Sequence, residues 1–138
     1  MRMSHLFGRT LREAPGDVEL PSHRLMLRSA MMRPLGAGIY SLLPLGWRVV
    51  TKVEQIIREE INATGGQEML MPVVPPADVW KESGRFYQVG PEMTRFHDRG
   101  ERDMVLAMTH EEIVTDLVRQ EINSYRQLPA LVYHIQPK

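Results

Sequence analysis

The clearest alternation of apolar and polar positions lies in residues 44–76. Its apolar residues recur at steps of three and four, which predicts one face of a long amphipathic helix. Gly65 and Gly66 end this helix, because glycine adopts a left-handed backbone conformation without strain. A short apolar strand from Glu68 to Met71 follows, and Pro72 closes it, since proline cannot donate to a central ladder. The stripe consists of Val49, Val50, Val53, Ile56, Ile57 and Ile61.

The remaining elements follow from the same patterns. Pro21 begins a helix that we expect to end near Arg33, because Pro34 disfavours helical backbone in the residue before it. A charged loop at 98–103 predicts a hairpin between two short strands. The other predicted elements are an extended segment at 39–43, a helix at 77–83, an irregular segment at 85–90, strands at 94–96, 104–107 and 131–135, and a helix from Thr109.

Hairpin-linked strands with helices between the groups predict an α+β fold with a mostly antiparallel sheet flanked by helices. A length of 138 residues corresponds to one domain or to part of a larger one. The final predicted strand ends three residues before the chain does. Because a sheet rarely stops on an uncovered last strand, we expect a chain cut within a larger domain.

Composition narrows the functional classes. The chain has 17 basic and 17 acidic residues, so binding of nucleic acid would require a local basic patch or another domain. It has no cysteine, which excludes disulfides and thiol chemistry. No stretch approaches the roughly 20 apolar residues of a membrane span. We therefore expect a cytoplasmic protein that does not act at a membrane.

The segment Thr109-His110-Glu111-Glu112 is the sharpest candidate for chemistry. The spacing predicts a capping box, with Thr109 as N-cap and Glu112 reaching back to it. Glu111 is left over by this box, and its carboxylate is placed to hold a ligand ammonium group with help from Thr109. The sequence His-Glu-Glu-Ile-Val lacks the second histidine of a zinc motif, so we expect no metal site.

Taken in order, these motifs resemble the start of bacterial-type prolyl-tRNA synthetases, which are class II aminoacyl-tRNA synthetases. The resemblance covers essentially the whole chain, and its specificity comes from many short segments in register. The segments are 11–15, 22–28, 38–40, 43–46, 76–80, 82–85, 98–102, 109–112, 124–129 and 134–138, together with the helix and strand that end at Pro72.

The resemblance implies that residues 1–138 are the N-terminal portion of a class II catalytic domain. Motif 1 would occupy about residues 44–76 and build a dimer interface. The Thr-x-Glu loop at 109–111 would hold the ring nitrogen of proline through Thr109 and Glu111. Protonated proline has two N–H donors, which a carboxylate and a threonine oxygen can both satisfy. The motif 1 residues expected at the interface are Gly46, Val53, Ile57 and Pro72.

The implied activity is that of proline–tRNA ligase. The complete enzyme uses ATP and Mg²⁺ to activate L-proline, transfers it to tRNA(Pro), and works as a homodimer without DNA. In the family, a motif 2 that begins Phe-Arg-x-Glu follows the segment matching 134–138. Motifs 2 and 3 and the editing and anticodon-binding domains are absent from this sequence. We therefore expect this chain to hold no catalytic residue, to bind no ATP and to be inactive alone.

Two other interpretations stay open at this point. The chain could be a stand-alone, non-catalytic relative that uses motif 1 for dimerisation or binding. It could also derive from another class II synthetase, specific for serine, threonine or glycine. The Ser-Gly-Arg segment at 83–85 together with Thr-His-Glu-Glu at 109–112 favours the prolyl enzyme over those three.

Overall fold

The computed structural model describes residues 2–16 and 18–137. Asp17, and Lys138 at the end of the last resembling segment, lie outside this range. The chain divides into two compact units, residues 1–61 and residues 62–138. None of the helices in the described part of the chain is long and apolar enough to cross a membrane.

The first unit contains a short helix, a hairpin and a long helix. Helix α1 (Pro21–Arg28) leads into strands β1 (Met32–Gly36) and β2 (Ile39–Leu42), which pair antiparallel. Helix α2 (Pro44–Ala63) follows at once, as the apolar periodicity predicts. The boundary between the units falls in the last turn of α2.

Helix α1 ends five residues before Arg33, so that part of the prediction was wrong. The reason is Ala30, which adopts a left-handed conformation with φ of 58°. The N–H of Met31 donates to the Met26 carbonyl and the N–H of Ala30 to the Leu27 carbonyl. These two bonds form a Schellman motif, in which alanine takes the left-handed position that glycine usually occupies. No glycine marks this end in the sequence.

Helix α2 begins in close contact with Met31, which lies between α1 and β1. Gly46 is buried, and a Cβ atom placed on it would lie 2.1 Å from the Met31 carbonyl oxygen. Beyond this first turn the apolar face of α2 is open. Val53, Ile56 and Ile57 are 51%, 61% and 44% exposed, so most of the stripe that predicts the helix is not buried in this chain, although Val50 and Ile61 are half-buried.

The second unit has its core under a short helix. Strands β4 (Arg95–His97) and β5 (Asp103–Val105) form the predicted hairpin, and helix α3 (Asp78–Glu82) packs its buried Trp80 beside them. Residues 85–90, predicted to be irregular, contain the one-turn helix α4 (Arg85–Gln88). The buried core residues are Ala77, Trp80, Met93, Val105 and Ala107.

The first and last strands of the second unit meet in parallel. Strand β3 (Gln67–Glu68) pairs with β6 (Val132–Tyr133), and helix α5 (Glu111–Glu121) precedes β6 in the chain. The side chain of Gln136 extends this pairing, because its amide both donates to and accepts from the backbone of Met71 at 2.8 Å.

The α+β class agrees with the sequence, but the sheet differs from the single, mostly antiparallel one expected. In the described residues the strands form three separate pairs, two antiparallel and one parallel. Residues 73–77 also run beside β5, with the N–H of Val105 bonded to the Pro75 carbonyl. Pro75 and Pro76 lack the N–H groups that would complete a ladder, so this segment stays outside the regular sheet.

Candidate functional site

The start of helix α5 is where the predicted ligand-binding residues lie. The helix begins at Glu111, and His110 occupies the N-cap position without a side-chain cap bond. The predicted capping box between Thr109 and Glu112 was therefore wrong. Glu112 turns away from the loop and pairs with another helix, which a local pattern cannot reveal.

The buried Glu112 side chain forms an ion pair with the partly exposed Arg85. The Arg85 Nη1 atom lies 2.6 Å from Glu112 Oε1, and the glutamate side chain is 5% exposed. The guanidinium carbon of Arg85 also lies 5.1 Å from the ring centroid of the fully buried Trp80. A charge-assisted bond in such surroundings is stronger than a neutral one. It ties the first turn of α5 to α4 and the core.

Several polar atoms beside Glu111 lack partners among the described residues. The hydroxyl of Thr109 is buried without a hydrogen bond, and so are both ring nitrogens of His110. His110 is 1% exposed and packs edge-on against the ring of His134, with centroids 4.9 Å apart. Buried polar groups in native proteins are normally hydrogen-bonded, so these atoms mark the start of α5 as a candidate binding position.

Glu111 is exposed and lines two clefts. The first, of about 460 Å³, lies between the start of α5 and strand β6, and we call it the histidine cleft. The second, of about 400 Å³, lies between α3 and α5. Thr109 lines neither cleft. The histidine cleft is lined by Met69, His110, Glu111, Val114, Thr115, Val132, Tyr133 and His134.

The charged side chains that line the second cleft form ion pairs with one another. Arg119 donates to Glu82 Oε1 at 2.5 Å and to Asp116 Oδ1 at 2.6 Å. These hydrogen bonds raise the pKa of Arg119 above its ordinary value. Because both carboxylates already hold this guanidinium, the histidine cleft is the better place for a cationic ligand.

The expected motif 1 residues have different environments. Val53 and Ile57 lie on the open face of α2, and Pro72 is exposed in the second unit. Gly46 is buried against Met31 within the first unit, so it offers no surface to a partner. Its small size serves packing inside the chain.

Sequence reasoning missed the residues that support the loop. Arg85 carries no local signal, because its partner is 27 residues away in the sequence. His134 and Gln136 lie in the last resembling segment, yet the contacts that they make with His110 and Met71 follow only from parallel pairing. Across the residues that the structure covers, no group of three metal-ligand side chains comes together.

Comparison with known proteins gives the family context for this site. The chain is 56% identical over all its 138 residues to the proline–tRNA ligase of Methylibium petroleiphilum, and 58% identical to that of Syntrophus aciditrophicus. The chain is a homologue of proline–tRNA ligases. It spans about 24% of the length of each of these two relatives. No protein-family model matches it.

Solved structures of tRNA synthetases share the fold. The prolyl-tRNA synthetase of Cryptosporidium parvum, solved with L-proline and AMP, matches 81% of this chain and 22% of its own with a TM-score of 0.64 at 16% identity. The RNA-binding domain of threonyl-tRNA synthetase from the same organism matches 77% of this chain and 27% of its own, with a TM-score of 0.70 at 24% identity. These two likenesses concern the fold alone.

Proposed function

We propose that this chain forms the proline-binding part of a proline–tRNA ligase, within a class II catalytic domain that includes residues 1–138. The observation that supports the proposal is the position of Glu111. It begins α5, where the positive end of the helix dipole favours a carboxylate, and it lines the histidine cleft.

The chemistry of protonated proline matches this corner of the cleft. The Glu111 carboxylate accepts one N–H of the ring ammonium. The buried Thr109 hydroxyl has no hydrogen-bond partner among the described residues, and on this proposal it turns toward the cleft to accept the other N–H. Met69, Val114 and Val132 provide an apolar wall for the ring methylenes. The ion pair of the neighbouring Glu112 fixes the helix start and so preorganises Glu111.

The test is an NMR titration of the 138-residue chain with L-proline. Glu111→Gln keeps the side-chain size but removes the charge, and we expect it to weaken binding roughly ten- to hundredfold, the value of a hydrogen bond to a charged group. The matched control is Glu121→Gln at the other end of α5. Cyclopentanecarboxylate, which lacks the ring nitrogen, should not bind. Equal proline affinity for Glu111→Gln and the unchanged chain would contradict the proposal.

The complete enzyme, on this proposal, activates proline with ATP and Mg²⁺ and transfers it to tRNA(Pro) in the cytoplasm. This chain supplies the proline contacts, and the arginine that would meet the phosphate is expected in motif 2, outside this sequence. The relatives named for proline support this substrate over serine, threonine or glycine.

We also propose that the open face of α2 forms a homodimer interface. Val49, Val53, Ile56 and Ile57 make an apolar stripe that is 44–61% exposed, and such contiguous patches mark interaction sites. Gly46 is excluded from this interface because Met31 covers it.

Sedimentation of the 138-residue chain tests the dimer. Ile57→Asp places a charge in the stripe and should shift a concentration-dependent dimer to monomer, because burying an unpaired charge is costly. Leu35→Asp is the control, since Leu35 is 79% exposed at the hairpin and away from the stripe. A monomer at all concentrations in the unchanged chain would rule out self-association through α2.

A further inference from the structure

We propose that an arginine surface on the first unit binds RNA through the phosphodiester backbone. This arm–α1 surface consists of Arg9, Arg12, Arg24, Arg28 and Arg33. The inference rests on the proposed function, which makes transfer RNA the expected partner. It gives the RNA a contact surface that does not include the histidine cleft.

The backbone brings these arginines together. The N–H of Leu11 donates to the Arg28 carbonyl at 2.9 Å, which holds residues 9–12 beside the end of α1. The Arg33 guanidinium donates to the carbonyls of Arg9 and Leu27, and so joins the arm to the same helix end.

Most of this charge has no carboxylate partner among the described residues of the first unit. The side chains of Arg9, Arg12, Arg24 and Arg28 are exposed, and none forms an ion pair with a carboxylate of the described residues. Arg24 and Arg28 lie four residues apart on α1, where like charges repel. Helix-end stabilisation accounts for Arg28 and Arg33, but it leaves Arg9, Arg12 and Arg24 unexplained.

The arginines of the second unit fall into two groups. Arg85, Arg102 and Arg119 each pair with a carboxylate, whereas the exposed Arg99 and Arg126 form no ion pair with a carboxylate of the described residues. Residues 1–61 contain nine Arg and Lys against six Asp and Glu, whereas residues 62–138 contain eight against eleven. The neutral total of the chain therefore hides a positive first unit, which is the local patch that nucleic-acid binding requires.

An exposed aromatic side chain favours RNA as the partner over an anionic membrane. Phe7 is 76% exposed and precedes Gly8, which packs against Ala30 at the end of α1. An exposed aromatic ring in the same arm as Arg9 and Arg12 is suited to stacking on an unpaired base while guanidiniums contact phosphates.

The experiment is fluorescence anisotropy of the 138-residue chain with unfractionated transfer RNA across a salt series. The variant Arg12→Gln/Arg28→Gln should weaken binding about tenfold and reduce the slope of log K against log salt by about two, one for each lost phosphate contact. The control Arg99→Gln/Arg126→Gln removes the same charge from exposed arginines of the second unit and should stay within about twofold.

One outcome supports the proposal and three overturn it. Loss of RNA binding confined to the first-unit variant, with an unchanged unfolding midpoint, supports the surface. Equal losses in both variants, or no salt-dependent RNA binding, overturn it, as does binding of phosphatidylserine vesicles through these arginines without RNA binding. Proline titration of the same variants separates this inference from the proposed function, because Arg12 and Arg28 lie in the first unit and the histidine cleft in the second.

Discussion

At the scale of single residues, two adjacent glutamates have different roles. Glu111 is exposed and lines both clefts, whereas Glu112 is buried and holds Arg85. The sequence predicts Glu111 as the ligand-binding residue of the two, and its exposed position at the cleft is compatible with that prediction, which remains to be tested. It assigns Glu112 to the wrong partner. The spacing of Thr109 and Glu112 fits a capping box even when the glutamate pairs with the distant Arg85 instead.

The Arg85–Glu112 pair should stabilise the second unit. Arg85→Gln leaves a buried carboxylate without its charge partner, and we expect a loss of about 2–3 kcal/mol in the free energy of unfolding. The double variant Arg85→Gln/Glu112→Gln should recover part of this loss, since it removes the unpaired charge. Urea unfolding measures both. A double variant as unstable as the sum of the single variants would show that the pair contributes no coupling.

At the scale of elements, helix α2 shows what periodicity can and cannot predict. The steps of three and four residues give the helix and its boundaries, yet they do not say what covers its apolar face. In the described residues Gly46 is buried and Val50 and Ile61 are half-buried, whereas Val49, Val53, Ile56 and Ile57 are exposed. The end of α1 shows the reverse problem, because a left-handed Ala30 stops the helix without a glycine to mark it.

Gly46→Ala should destabilise the first unit although alanine is the better helix former. The new Cβ would meet the Met31 carbonyl oxygen at 2.1 Å, and backbone must move to relieve it. We expect a net cost of about 1–3 kcal/mol, the range for overpacking. Gly36→Ala is the matched control, because its Cβ meets only the Ile39 side chain at 3.9 Å. Thermal unfolding that ranks the two variants equally would contradict this account.

At the scale of the whole molecule, three surfaces of the described residues are open to a ligand or a partner. It has an open apolar helix face, a cleft beside Glu111 and a positive first unit. It covers about 24% of the length of the ligases it matches. The α+β class was predictable from the order of elements, whereas three separate strand pairs were not, since Pro75 and Pro76 interrupt the ladder.

The 138-residue chain should show negligible proline-dependent pyrophosphate exchange. Its sequence contains no Phe-Arg-x-Glu segment to supply an arginine for the charge that develops at phosphorus, and such groups provide a large share of catalysis. The control is the same assay after the chain is extended through that segment and the remaining domains. Clear turnover by the 138 residues alone, above a blank without protein, would contradict this prediction.

Local patterns in the sequence determined the α2 helix, the charged hairpin and the candidate Glu111. These features depend on periodicity, turn residues and side-chain chemistry within a few neighbours. Only the tertiary structure decided that Glu112 pairs with Arg85, that His110 meets His134 through parallel β3 and β6, and that the stripe of α2 stays open. Those outcomes depend on which distant segments meet, and a pattern of neighbours carries no information on that.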